Sequence, residues 1–200
     1  MTIGSEQSDA RRSLRRGQWL EVTTLGWNVV GVVVLAFAAI GARSVALAGF
    51  GLDSVIEIGA STVVLWELAD VARSRQRAAM RMIGVSFVAL AAYLSVQSTV
   101  VLVVDFHPHH SPLGVIWTSL TALTMFALAR GKATVGAALG NPVLKAEGRV
   151  TMIDGILACA VLLGLILNGT VGWWWADPAT GYVIIYYALR EAWTSLRESP

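Results

Sequence analysis

Charged residues are scarce in this sequence. Only 14% of its 200 residues are Asp, Glu, Lys or Arg, whereas soluble globular chains carry about 25%. The shortage argues against a disordered chain and against a nucleic-acid-binding protein, because both classes depend on dense charge. Hydrophobic residues, by contrast, make up 56% of the chain. This composition indicates a protein that crosses a membrane several times.

Cysteine is also nearly absent, and so are the common catalytic motifs. The single cysteine, Cys159, excludes an intramolecular disulfide framework. The sequence contains no glycine-rich phosphate loop, no dinucleotide fingerprint and no Ser-His-Asp set. We therefore expect neither an ATP-driven pump nor a membrane hydrolase, and predict that the protein is not an enzyme.

Long apolar runs divide the chain into six candidate membrane spans. Each run is close to the roughly 20 residues that a helix needs to cross the hydrocarbon core. We place these spans at residues 19–40, 45–68, 82–104, 113–129, 142–167 and 174–196. The sequence thus predicts an all-α polytopic membrane protein, with an N-terminal tail at 1–17 and a six-helix transmembrane domain at 18–200.

Lysine and arginine residues are concentrated on one side of the predicted bundle. They lie in the N-terminal tail, between spans two and three, around the link between spans four and five, and at the C-terminal end. The opposite connections contain only Arg43. The positive-inside rule therefore places both termini in the cytoplasm. We expect a multi-pass protein of the cell membrane, the cytoplasmic membrane if the source is bacterial, with no nucleic-acid partner.

Three acids interrupt otherwise apolar spans. Asp53 and Glu57 are four residues apart, so they share one helix face in span two, and Asp154 lies at similar depth in span five. A charged group at this depth costs about 2.5–3.5 kcal/mol on insertion scales and therefore indicates function. Because no Lys, Arg or His is predicted beside them, converging carboxylates predict a site for a divalent cation that is exchangeable for protons.

Other polar residues leave alternatives open. Asn28 and Gln97 either complete the coordination shell or hydrogen-bond between helices. Glu21 lies near the predicted cytoplasmic surface, where it either lines an entrance or is solvated. Asp177 precedes Pro178, a pattern that predicts the N-cap of the sixth helix.

The predicted outer loop between spans three and four contains the only histidines of the chain. These are His107, His109 and His110 in the segment FHPHHSP. Clustered imidazoles can bind a transition metal. A loop with two prolines also holds histidines without any metal, and the sequence leaves both interpretations open.

The acidic spans resemble those of the cation diffusion facilitator family. The family's second span carries small apolar residues followed by D-x-x-x-D, which SVALAGFGLDSVIEIGAS resembles with Asp53 and Glu57. Its fifth span carries an alanine-acid element followed by H/D-x-x-x-D, which KAEGRVTMID resembles with Glu147 and Asp154. The segment DPATGYVIIYYALREAWTSLRES resembles its sixth span, so the resemblance covers about residues 19–199.

The resemblance implies a proton-coupled exporter of divalent cations, typically a homodimer, that alternates access around a site between spans two and five. It implies that Asp53, Glu57 and Asp154 bind the metal. The chain departs from the family at Val150, which stands at the first ligand position of span five and cannot bind metal. We also expect the family's C-terminal cytoplasmic domain to be absent. A fourth ligand would then come from water or from Glu147, Thr151, Asn28 or Gln97.

Metal identity and activity both have alternatives at this stage. An all-carboxylate site suits manganese or iron(II), whereas zinc prefers nitrogen and sulfur ligands but is common cargo in the family. The valine at position 150 supports a second hypothesis, a non-transporting membrane protein that senses metal or serves as a partner subunit. A third hypothesis is a transporter of a non-metal cation that uses the acids as counter-ions.

Overall fold

The computed structural model describes residues 3–69 and 73–197. This part of the chain forms six α-helices: α1 (Ile3–Ala42), α2 (Val45–Ala69), α3 (Arg73–Val104), α4 (Pro112–Leu139), α5 (Pro142–Val171) and α6 (Ala176–Arg197). No β-strand occurs in these two ranges, and the predicted all-α fold is confirmed. Within them, α1 to α5 are long and apolar enough to cross a membrane. The 22-residue α6 is more polar, because its length includes Asp177, Arg190 and Glu191.

Three helices extend beyond their predicted spans at the end of the bundle that carries both termini. We call this end, where most Lys and Arg residues lie, the basic end. Helix α1 begins at Ile3, α3 begins at Arg73 and α4 ends at Leu139. Hydropathy marks where a helix leaves the hydrocarbon, whereas backbone hydrogen bonding continues into the interface. Consequently Lys132, which we predicted in the link after span four, lies within α4.

A two-residue turn joins α4 to α5. Gly140 ends α4 with φ +62°, a left-handed conformation that glycine adopts without strain. The Asn141 side chain then accepts a hydrogen bond from Leu144 N at 3.0 Å, and Pro142 begins α5. Such a short connection forces α4 and α5 to pack side by side in opposite directions.

The helices pack as two groups. Helices α1, α2, α4 and α5 form a four-helix group, and α3 pairs with α6 along its length. The α3–α6 pair is tight at Gly181, where an added Cβ would lie 2.2 Å from Ser98 Oγ. Helices α2 and α5 also contact the pair through α2–α3, α2–α6 and α5–α6 packing. The acids of α2 and α5 therefore lie where the two groups meet.

Asp177 joins α6 to α2 at the end of the bundle opposite the termini. Its carboxylate accepts hydrogen bonds from Val45 N at 2.9 Å, from Ala46 N at 3.2 Å and from the Ser44 hydroxyl. The prediction that Asp177 caps its own helix is wrong. It lies inside the first turn of α6 and satisfies the first amides of α2 instead, because both helices begin at this end.

Candidate functional site

A small cavity lies between the four-helix group and the α3–α6 pair. Its volume is about 10 Å³, close to the smallest space that holds one water molecule. Asp53, Glu57 and Asp154 all line it. The rest of the lining comes from Phe87, Val150, Ile153, Leu157, Tyr187, Ala188 and Glu191. The structure thus places the buried acids of two spans around one cavity.

Asp154 is the most exceptional of these acids. It is 3% exposed, and no hydrogen-bond donor among the described residues reaches either of its carboxylate oxygens. It also lies close enough to Asp53 and Glu57 for charge repulsion. A buried, unpartnered carboxylate is costly as an anion. It must therefore bind either a proton or a cation.

Glu57 is held in place from two other helices. Asn28 Nδ2 of α1 donates a hydrogen bond to Glu57 Oε2 at 3.1 Å, and Thr151 Oγ1 of α5 donates to Glu57 Oε1 at 3.2 Å. Each carboxylate oxygen accepts at more than one position, so both remain able to bind a cation. Neither Asn28 nor Thr151 lines the cavity. Their geometry suits orientation of Glu57 rather than direct contact with an ion.

A second charged network lies beside the cavity and is centred on Lys132 of α4. Its Nζ lies 3.1 Å from Glu21 Oε2, 3.3 Å from Glu147 Oε1 and 3.0 Å from Thr151 Oγ1. Lys132 and Glu21 are both 0% exposed, and Glu147 is 4% exposed. Thr151 connects the network to the cavity, because the same hydroxyl oxygen that accepts from Lys132 donates to Glu57.

The Lys132 network corrects the sequence-based placement of charges. Lys132 is a buried base that the sequence did not predict, fully enclosed by helices and paired with Glu21 and Glu147. Within the described ranges no ion pair joins a base to Asp53, Glu57 or Asp154. Glu21 is neither solvated nor at an entrance, because it is fully buried against Lys132. Glu147 lies outside the cavity lining and accepts from Lys132 and from Ser61 Oγ at 3.4 Å.

The remaining predicted polar groups do not join the cavity. Gln97 is half-buried on α3 and does not line it. His107 packs edge-on against Trp174 with ring centroids 4.8 Å apart, and His109 N donates to Ala42 O at 2.8 Å. Within the described ranges, no three His, Cys, Asp or Glu side chains converge closely enough to hold a metal ion. The cavity acids therefore need to move together before they form a coordination shell.

One further acid, absent from the sequence-based predictions, lies at the cavity. Glu191 of α6 lines the cavity together with Tyr187, and its charge acts on Asp53. The signal was available in helical spacing, because Ile184 and Ala188 are buried and Glu191 follows them on the same face. The cavity thus has a fourth carboxylate contributed by the α3–α6 pair.

A profile described as the cation efflux transmembrane domain matches residues 79–199, which is more than half of the chain. The match includes Val150 and Asp154, whereas Asp53 and Glu57 precede it. No curated protein sequence matches the chain significantly. The family match confirms the resemblance seen in the sequence, and the apolar helices make the protein a multi-pass membrane protein. The chain therefore belongs to the cation efflux family of membrane transporters.

Proposed function

We propose that this metal cation efflux protein binds its substrate, a divalent cation, in the cavity between α2, α5 and the α3–α6 pair. The observation that carries the proposal is Asp154, whose two buried oxygens receive no hydrogen bond from a donor among the residues described and face the carboxylates of Asp53 and Glu57. Asp53 and Glu57 line the same cavity. A divalent cation converts the repulsion among these carboxylates into attraction, which supplies the free energy for drawing them together.

Each lining residue has a distinct part in this proposal. Asp53 and Asp154 supply oxygen ligands, and Glu57 supplies another while Asn28 and Thr151 fix its orientation. Val150 contributes an apolar wall. The cavity of about 10 Å³ has no room for a hydrated ion, so the cation loses water on entry. Oxygen ligands favour manganese and iron(II), and zinc remains a candidate.

Proton coupling follows from the same carboxylates. When the cation leaves, buried acids this close together cannot all stay ionised, so protons take its place. Exchange of protons for metal makes the protein a secondary active antiporter. The cavity lies at the boundary between the two helix groups, so we infer that movement of one group against the other opens it alternately to each side. A homodimer through the membrane domain remains a prediction from the family resemblance.

Reconstituted vesicles with an internal metal-sensitive dye test this function. Manganese, iron(II) and zinc are supplied one at a time, with and without an imposed pH gradient. We expect uptake of at least one metal that accelerates with the gradient and that Asp53→Asn abolishes. Absence of transport for every metal contradicts the proposed transport. Transport at the same rate with and without the pH gradient contradicts proton coupling but leaves the proposed transport standing.

A second candidate function is metal binding without transport, as a sensor or partner subunit. Its support is Val150, which removes one ligand, and the absence, among the described residues, of three acid, cysteine or histidine side chains arranged to hold a metal ion. Titration calorimetry on the same purified protein separates the two. Stoichiometric metal binding combined with no uptake into vesicles favours this second function.

A further inference from the structure

A wide groove opens at the basic end between α4, α5 and α6. Its volume is about 1180 Å³, far larger than the acidic cavity. Four basic residues line it: Arg130, Lys145, Arg149 and Arg190. Glu191 is the one acid among the described residues of its lining. Three more bases than acids give the groove a positive potential, which attracts anions and disfavours a hydrated metal cation.

The deeper part of the groove is apolar. Phe126, Met152 and Ile156 line it, and Met152 and Ile156 are 40% and 38% exposed. Along α5, the eleven residue-to-residue steps from Lys145 to Ile156 span roughly 16 Å. This is about half of the hydrocarbon thickness, or one leaflet. The groove therefore has a charged end near the membrane surface and an apolar end near the bilayer centre.

Small residues make the floor of the groove. Ala129, Ala133 and Gly148 line it where α4 crosses α5. An added Cβ on Gly148 would lie 3.1 Å from Ala133 N and 3.3 Å from Ala129 O, so the two backbones are in close contact there. Because these side chains are small, they leave the floor of the groove open.

We propose that this groove binds an anionic phospholipid of the surrounding leaflet. The phosphate lies between Arg130, Lys145 and Arg190, and an acyl chain follows the apolar end past Phe126 and Ile156. Charge and shape both select this occupant, because a free phosphate leaves the apolar end empty and a zwitterionic lipid leaves the excess positive charge unpaired. The lipid also screens the bases beside Glu191, which lines both the groove and the acidic cavity.

Native mass spectrometry of the full-length protein, titrated with phosphatidylglycerol or phosphatidylcholine in detergent, tests the charged end. The variant combines Arg130→Gln, Lys145→Gln and Arg190→Gln, all at exposed positions. The matched control combines Arg11→Gln, Arg12→Gln and Arg16→Gln, which are exposed at the same end of the bundle. Each base contributes roughly fivefold, so the variant should bind phosphatidylglycerol about a hundredfold more weakly. Equal weakening by the control, or equal wild-type affinity for both lipids, overturns the proposal.

The apolar end is tested separately with Ile156→Trp, which fills the groove without changing its charge. We expect this variant to lose phosphatidylglycerol binding. In a separate measurement on the wild type, glycerol phosphate alone should not raise the melting temperature. A rise equal to that with the complete lipid shows a free-phosphate site and overturns lipid binding. A further test introduces Thr134→Cys on a Cys159→Ala background. Cross-linking of two chains through this cysteine that is unaffected by added lipid would show that the groove is a protein interface. That result would also overturn the lipid proposal.

Discussion

Lys132 shows how much a single buried residue controls in this molecule. Its ammonium group lies between Glu21 and Glu147 with no exposure to solvent. Burial of an ion pair gives little net stability, but removal of one partner leaves an uncompensated buried charge. Lys132 thus pairs with two acids next to the cavity, neither of which lines it.

We predict that Lys132→Met lowers the free energy of unfolding by about 3–5 kcal/mol, because Glu21 and Glu147 lose their counter-ion. The measurement is unfolding of the purified protein in detergent, followed by circular dichroism. Lys145→Met is the matched control, since Lys145 is exposed. Adding Glu21→Gln and Glu147→Gln to Lys132→Met should restore most of the loss. A Lys132→Met protein as stable as the control contradicts the ion-pair network.

The sequence predicted the buried acids better than the residues that contact them. Asp53, Glu57 and Asp154 were visible because each interrupts a long apolar run, and all three line one cavity. Lys132 was missed because the apolar run of the fourth span stops before it, although it continues the buried face of Met125 and Leu128. Pairing across helices depends on packing, which one sequence does not contain.

Helices α4 and α5 are in close contact at Gly136. An added Cβ on Gly136 of α4 would lie 3.0 Å from Lys145 N and 3.2 Å from Leu144 C. Both neighbours are backbone atoms held beside the tight turn at Gly140, so they have little freedom to move away. Glycine at this position allows the close helix approach that places Lys132 against the acid of α5.

We predict that Gly136→Val destabilises the protein by about 1–3 kcal/mol, because overpacking forces α4 away from α5. Gly26→Val on α1 is the matched control, since nothing lies within 4 Å of its added Cβ. Thermal unfolding of both variants in the same detergent measures the difference. Equal melting temperatures for the two variants would show that the α4–α5 contact is looser than described.

The sequence predicted that each of the six helices exists, but it did not predict their lengths. Hydropathy correctly indicated a helix in each of the six apolar runs. It placed the start of α1 at residue 19 and the end of α4 at residue 129, whereas the helices run from Ile3 and to Leu139. The added turns are amphipathic or polar, so only caps such as Asn141 mark their true ends.

For the whole molecule, the distribution of Lys and Arg predicts the orientation in the membrane. Helix α4 has 28 residues and is roughly 42 Å long, which exceeds the hydrocarbon thickness of about 30 Å. Residues at its two ends therefore face opposite compartments. His110 precedes α4 and is exposed, as is Ala138 near its far end.

We predict that a membrane-impermeant maleimide labels His110→Cys but not Ala138→Cys in intact cells, each on a Cys159→Ala background. Inside-out vesicles should reverse the pattern, which provides the control for reactivity. Labelling of Ala138→Cys in intact cells contradicts the positive-inside assignment. It would also move the proposed lipid groove to the outer leaflet.

We propose that a metal cation crosses the membrane through the cavity at Asp154. The most direct measurement is metal uptake by vesicles that contain Asp154→Asn, which keeps the side-chain shape and removes the charge. Asp105→Asn is the matched control, because Asp105 is exposed in a loop where its positive φ suits asparagine. We predict that Asp154→Asn lowers uptake by at least the roughly 10–100-fold typical of outer-shell changes, whereas Asp105→Asn transports like the wild type. Unchanged uptake by Asp154→Asn would show that the cation does not pass through this cavity.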